Sequence, residues 1–417
     1  MSVFLVDLNL PKTEIIKTEK DKFGDILITI KTTEDSVACR TCGKEIFKRH
    51  GPGRERKLKH LPVLGDNTFI IYSPNRYVCE DCKDHPTTTV KPYWHSTNGS
   101  HTTAYENHLL MELVNSTIAD VAVKERTTEE SILGVVERRV AGNIDWENIT
   151  FLGVVGIDEI SLKKGYKDFV TIISNRVDGK INLLAVLKGH EKAAIVGFLK
   201  SIPTKLIDTI ETVCVDMYNG YINAVKEVFK NKVPVVVDRY HVAKLYRREL
   251  DKFRQKTLQQ LKKELKEHEY DQIIGATKIL RRGNERMTDD EKRIVKLIFS
   301  YSPELMEAYS LVIKLTQIFN TYLTKKEALV KFDDWISLVN DSKLTCFKKF
   351  IGSLKKWKNE IANYFVNRQT SAFVEGLNNK IKVLKRRCYG IYDLKHLFQR
   401  LLLDLSGYEL YAINIGV

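Results

Sequence analysis

Phe151-Leu152-Gly153-Val154-Val155-Gly156-Ile157-Asp158 is a run of apolar, mostly β-forming residues that stops on a carboxylate. It predicts a buried central strand that delivers one acid to the rim of a sheet. Alone the pattern is weak, since many α/β proteins end a core strand in Asp and Asp also suits turns and caps. Its weight comes from two later runs, Glu211-Thr212-Val213-Cys214-Val215-Asp216 and Val233-Pro234-Val235-Val236-Val237-Asp238, which end the same way. Glu159 follows Asp158 directly, and strand alternation turns it to the opposite face.

Between the first two runs, Asp168 to Ser174 and Lys180 to Leu187 read as strands joined by a turn at Asp178-Gly179. Helices are expected from about Glu191 to Lys200 and from Tyr221 to Phe229. The order is three strands, helix, strand, helix, strand. It fits a ribonuclease-H-like core, in which the first, fourth and fifth strands lie side by side and parallel. Neighbouring strands sit about 4.8 Å apart, so Asp158 and Asp216 can share metal ions. Asp238 ends one strand further out, and with His241 in Asp238-Arg239-Tyr240-His241 it is read as shaping the site.

Upstream, Cys39-Arg40-Thr41-Cys42 and Cys79-Glu80-Asp81-Cys82 form two C-x-x-C knuckles 36 residues apart. Four thiolates so paired, with β-prone segments between them, fit a zinc ribbon; buried free thiols and a redox dithiol pair are the competing readings. His50, His60 and His85 read as surface or phosphate-facing residues. The basic stretch Lys48 to His60 surrounds Gly51-Pro52-Gly53, expected to form a loop whose Arg49, Arg54 and Arg56 contact phosphates or are simply solvated. From Ala104 to Val140 three short helices are expected, the third behind a capping box at Thr127-Thr128-Glu129-Glu130 and ending in Arg138-Arg139. They are compatible with a helix-turn-helix whose last helix enters the major groove, or with a plain helical linker.

Residues 251–359 are rich in Lys, Glu and Leu at helical spacing and predict an all-helical insertion, with Trp335 and Trp357 in its core. After it comes Ser371-Ala372-Phe373-Val374-Glu375-Gly376-Leu377-Asn378-Asn379-Lys380-Ile381-Lys382-Val383-Leu384-Lys385-Arg386. On a helix Asn378, Asn379, Lys382 and Arg386 share a face with Glu375, while Leu377, Ile381 and Leu384 form the packing stripe. A carboxylate followed by amides and cations suits a metal ligand with a phosphate track leading away.

The chain has 67 Lys and Arg against 53 Asp and Glu, a net charge of +14, which favours a nucleic-acid partner over an anionic membrane. No secretory signal, run of membrane-spanning length or phosphate-binding G-x-x-x-x-G-K-[ST] loop is present, so a cytoplasmic, nucleoid-associated protein without a nucleotide cofactor or membrane partner is expected. Seven cysteines, four in two close pairs, argue for metal over a disulfide framework.

Gly156-Ile157-Asp158-Glu159, Val215-Asp216-Met217-Tyr218, Asp238-Arg239-Tyr240-His241 and Glu375-Gly376-Leu377-Asn378-Asn379-Lys380-Ile381-Lys382 with Tyr389-Gly390 resemble the DDE insertion-sequence transposases of the ISL-three family. The resemblance implies a catalytic triad of Asp158, Asp216 and Glu375 holding Mg²⁺ or Mn²⁺, with Asp238 and His241 accessory. It also implies an enzyme that cuts at terminal inverted repeats of double-stranded DNA and joins the ends to target DNA, acting as a homodimer or larger assembly. The expected division is a zinc-ribbon domain (1–95), a helix-turn-helix with linker (96–150), the first part of the core (151–250), the insertion (251–359) and the last part of the core with the Glu375 helix (360–417). Two rival readings are a ribonuclease-H-like nuclease that cuts without joining and a zinc-ribbon regulator derived from a transposase.

Overall fold

The strand carrying Asp158 runs from Gly153 to Ser161 (β1), buried from Gly153 to Ile157 and again at Ile160, with Asp158 partly exposed and Glu159 exposed. In the computed structural model the described residues are 8, 10–95, 99–161, 169–230, 232–281, 287–388 and 393–412. They fall into two units: Met1–Gly142 with Arg386–Tyr389 and Gln399–Val417, and Asn143–Lys385 with Gly390–Phe398.

In the second unit β1 pairs antiparallel with β2 (Phe169–Val177), which pairs antiparallel with β3 (Lys180–Lys188). The β2–β3 turn places both Asp178 and Gly179 at positive φ, the backbone that an Asp-Gly hairpin turn requires. Helix α1 (Lys192–Ser201) leads to β4 (Ile210–Val215), and α2 (Asn219–Phe229) leads to β5 (Val235–Val237). The sheet order is 3-2-1-4-5, with β1, β4 and β5 parallel. This mixed sheet with its helices is consistent with a ribonuclease-H-like core. Its central strands are apolar on both faces because helices cover both, as buried parallel strands require.

After β5 the described chain is helical through Asn367. Helix α3 (Arg239–Glu264) starts directly on Asp238 and crosses the expected boundary at 250/251 without a break, because its periodicity continues from Val242 through Tyr246, Leu250 and Leu258 to Leu261, all buried. Thr324 and Glu327 form a capping box, and Ser302 caps a helix with Pro303 in its first turn. Trp335 and Trp357 are buried, and Trp335 donates its indole N–H to the carbonyl of Leu311 at 2.8 Å.

The first unit holds more β-structure than its sequence announces. A four-stranded sheet places Thr13–Lys20 beside Ile26–Thr32, then Asp66–Tyr72, then Arg56–Val63. The Gly51-Pro52 stretch is not a loop: Arg49–Pro52 pairs with Asn75–Val78, with a bulge between Arg49 and Gly51 and Pro52 at the strand's end, where proline is tolerated. Three helices follow, Thr103–Glu112, Ile118–Lys124 and Glu129–Arg139, capped by Thr102, Thr117 and Thr128. The third has no capping box, since with Thr128 as cap the third helical residue is Ser131, not Glu130. Leu403 of the C-terminal helix Leu394–Tyr411 lies in the same core as Leu109, Leu113, Ile132 and Val135. Within residues 360–417, Arg386–Tyr389 and Gln399–Val417 group with the first unit and the rest with the second.

Candidate functional site

Register brings the acids to one level. Ile157 of β1 is paired with Val215 of β4, and Val215 with Val237 of β5, so Asp158, Asp216 and Asp238 each follow directly on a matched position. Ligand atoms of Asp158, Asp216 and His241 lie within 4.8 Å of one another. His241 Nδ1 is 2.8 Å from Asp216 Oδ1. Burial would lower the His241 pKa, but the Asp216 hydrogen bond and the charges of Asp216, Asp158 and Asp238 outweigh it and raise the value. Burial also pushes Asp158 up to about 6, against the pull of the Glu159 N–H and of His241.

Glu375 lies in the first turn of α4 (Ala372–Arg387) and is exposed. It borders the same cavity of about 620 Å³ as Asp158, Asp216 and His241, but it is not part of their close cluster. The stripe Leu377, Ile381 and Leu384 is buried as expected. Asn378 differs from its expected DNA-facing role: it is 5% exposed, and its side-chain N–H donates to Asp158 Oδ2 at 2.8 Å. Asn379 and Lys382 stay on the exposed side and Lys382 borders the cavity, while Arg386 falls beyond the second unit's limit at Lys385. Tyr389 and Gly390 lie outside the described residues.

The Asp238-Arg239-Tyr240-His241 motif resolves into four separate contacts. Asp238 is 2% exposed; Oδ1 accepts the Tyr240 N–H at 2.5 Å, and Oδ2 accepts the Ser371 N–H and hydroxyl at 2.5 and 2.6 Å. One buried carboxylate thus caps α3 and anchors the residue preceding α4. Arg239 reaches Asn320 and the Tyr364 hydroxyl on the later helices. Tyr240 borders the cavity, and His241 meets Asp216. Sequence reasoning missed Lys244 and Arg247, which border the cavity from α3; their spacing of four and eight residues after Tyr240 and Arg239 was the available signal. Glu159, expected on the opposite face from Asp158, borders the same cavity and also approaches His190 at 3.5 Å.

The second cluster is Cys39, Cys42, Cys79 and Cys82. Sulfur separations are 4.0 Å for Cys39–Cys82, 3.8 Å for Cys42–Cys79 and 3.6 Å for Cys79–Cys82. Tetrahedral zinc with bonds of about 2.3 Å sets its sulfurs about 3.8 Å apart, so the four thiols fit the ion. Hydrogen bonds from the Cys42 and Thr41 backbone lower Cys39 to about 6, while contacts with Cys42 and Cys79 push Cys82 up to about 12. Crowded thiols cannot all ionise unless a cation neutralises them.

Of the groups expected at the surface, His60 is internal, while Arg138 and Arg139 stay partly exposed but are tied to a buried acid. His60 is 4% exposed and meets the Thr102 hydroxyl at 2.8 Å, and burial lowers it to about 4. Arg138 and Arg139 both pair with the fully buried Glu106, at 2.7 and 2.9 Å. A carboxylate with no exposure has to be paired, and these two cations neutralise it while their side chains keep about 31% and 26% of their surface exposed. Arg49 and Arg54 are exposed, and Arg56 is partly so.

Among the described residues no helix is long and apolar enough to cross a membrane. A family model described as a transposase, of the DDE ISL-three type, matches residues 155–401. A second, described as the zinc-finger of transposase IS204/IS1001/IS1096/IS1165, matches residues 35–82. The chain is 22% identical over 401 residues to a transposase for insertion sequence element IS1001 of Bordetella parapertussis, covering 94% of this chain and 95% of that protein. It is 21% identical over 418 residues to a transposase for IS1557 of Mycobacterium tuberculosis, covering 95% and 93%.

Proposed function

Because the chain belongs to the ISL-three family of DDE transposases, we propose that it binds the terminal inverted repeats of an insertion sequence, cuts the DNA there and transfers the ends to target DNA. The observation that carries the reading is the convergence of Asp158 and Asp216 from adjacent parallel strands, with Glu375 on the wall of the same cavity. A ribonuclease-H-like core spanning 151–250 and the Glu375 helix, interrupted by helices and preceded by zinc ribbon and helix-turn-helix, is the architecture we assign to it.

Asp158, Asp216 and Glu375 offer the oxygen donors that hard divalent cations prefer, and Mg²⁺ or Mn²⁺ held there would polarise the scissile phosphate and stabilise the leaving oxygen. The protein's own groups prepare that site. Asn378 orients Asp158, leaving its other oxygen to the Glu159 N–H at 2.8 Å. His241 keeps Asp216 aimed inward, and Asp238 fixes where the Glu375 helix begins. Lys382, Lys244 and Arg247 present cations to the phosphates on either side of the cut. Structural zinc at the four cysteines sets up the unit that reads the repeat.

The test is cleavage and joining of a labelled duplex carrying the inverted repeat that flanks the gene, in Mg²⁺ or Mn²⁺. Asp158→Asn, Asp216→Asn and Glu375→Gln should each reduce cutting to background while binding the repeat as wild type does. Repeat binding without cutting by the wild type in either metal would instead support a regulator, and cutting without joined products a nuclease.

A further inference from the structure

Asp216 and His241 are walls of a second cavity as well. It measures about 330 Å³ and is lined by Glu159, His190, Tyr218, Tyr221, Lys244 and Arg248 among others. Its aromatic groups form an ordered chain. The His190 ring stands 5.5 Å from Tyr218 at 87°, and Tyr218 stands 5.1 Å from Tyr221 at 81°. Tyr221 is buried and its hydroxyl lies 3.2 Å from that of Thr171, so it is fixed from behind. Tyr218 is 40% exposed. Its position is built: a Cβ on Gly220 would lie 2.4 Å from the ring, so only glycine lets Tyr218 lie against the start of α2.

We propose that this cavity receives one unstacked nucleotide of the DNA strand at the element's end, with its base against Tyr218. The proposal rests on the transposase reading above and adds a binding subsite to it. Three kinds of group meet there, each suited to one part of a nucleotide. An exposed aromatic ring offers a stacking surface to any base. The Glu159 carboxylate and the His190 ring, 3.5 Å apart, offer hydrogen-bonding partners for a base edge. Lys244 and Arg248, one turn apart on α3, are exposed cations that suit the sugar-phosphate. Lys244 also borders the larger cavity, so one backbone passing it can place a phosphodiester at the acids and the neighbouring base at Tyr218. Taking the base out of the duplex costs pairing and stacking energy, which contact with Tyr218 offsets.

Two measurements on the full-length protein test this. In the first, repeat-end duplexes carrying 2-aminopurine singly at each position around the junction are bound in Ca²⁺ in place of Mg²⁺. One position should change fluorescence on binding wild type and Tyr218→Phe, and not on binding Tyr218→Ala. In the second, cutting is followed in Mg²⁺: Tyr218→Ala should be roughly 10- to 100-fold slower on the intact end. Removing the base at the responsive position should restore its rate, and Tyr218→Phe should cut as wild type does. No responsive position, a response unchanged in Tyr218→Ala, or a defect that no abasic site relieves would overturn the subsite while leaving the transposase reading standing. Failure of the wild type to cut any repeat end would remove that reading instead.

Discussion

Gly156 lies two residues before Asp158 in β1, and a Cβ there would fall 2.2 Å from Val374 Cγ2 and 2.8 Å from the Phe373 ring. Only a residue without a side chain allows the first turn of α4 to approach the strand that closely, and that turn carries Glu375. Gly156→Ala should therefore push the helix away, at a stability cost of about 1–3 kcal/mol. A shift approaching 1 Å at a catalytic group costs on the order of 100-fold in rate, so cutting should fall by far more than stability does. Val374→Ala removes the atom in closest conflict, and combining it with Gly156→Ala should recover part of the lost rate. Additive losses in the double variant would mean that the close approach does not set the position of Glu375. The strand-ending acids were legible because the same device, an apolar run ending in Asp, occurs three times; any one alone could be a turn or cap, as Asp238 in fact caps α3. Gly156 was quoted only as part of a motif, although glycine inside a strand signals close approach of another backbone or side chain. The Asn378 contact to Asp158 was beyond reach, since helical phase places a residue on a face without saying what lies opposite.

Helix periodicity gave α1, α2, the helical character of residues 251–359 and the buried stripe of α4, but neither the C-terminal helix nor its partner. Arg400 there is 3% exposed and donates to the carbonyls of Leu113 and Ser116, which end the first of the three short helices. Gln399 donates to the Val140 carbonyl at 2.8 Å, and Asp404 accepts the Asn115 N–H at 3.0 Å. Carbonyls and an N–H left over at helix ends are thus satisfied by side chains nearly 300 residues away in sequence, which no local pattern encodes. Leu403 is fully buried among them, so Leu403→Ala should cost about 2–5 kcal/mol. In full-length protein this should appear as lost hydrogen-exchange protection in residues 103–140, with the sheet formed by β1 to β5 unaffected. Loss spread evenly through the catalytic sheet, with 103–140 unchanged, would show that the helix does not stabilise this bundle.

At the scale of the whole molecule, the two units reach their stability by different means. The catalytic sheet sits in an extensive core drawn from five strands and many helices, large enough to be held by apolar burial. The zinc-ribbon end of the first unit has little to bury. Its core consists of Cys39, Ile46, Tyr77, Cys79 and Val90, and the strands Val37–Ala38 and Glu45–Ile46 have two residues each. Elements that short do not hold themselves together, so four thiolates on one ion have to supply what burial cannot. Removing the metal with a strong chelator should therefore free residues 35–90 to exchange with solvent and abolish binding to the inverted repeat, while the catalytic sheet keeps its protection. Native mass spectrometry should find one zinc per chain before chelation and none after. The Cys39→Ser, Cys42→Ser double variant should behave like the chelated protein without any chelator present. Specific repeat binding retained by that variant would mean that the ribbon is held by its own packing, and that sequence recognition depends on the three-helix bundle alone.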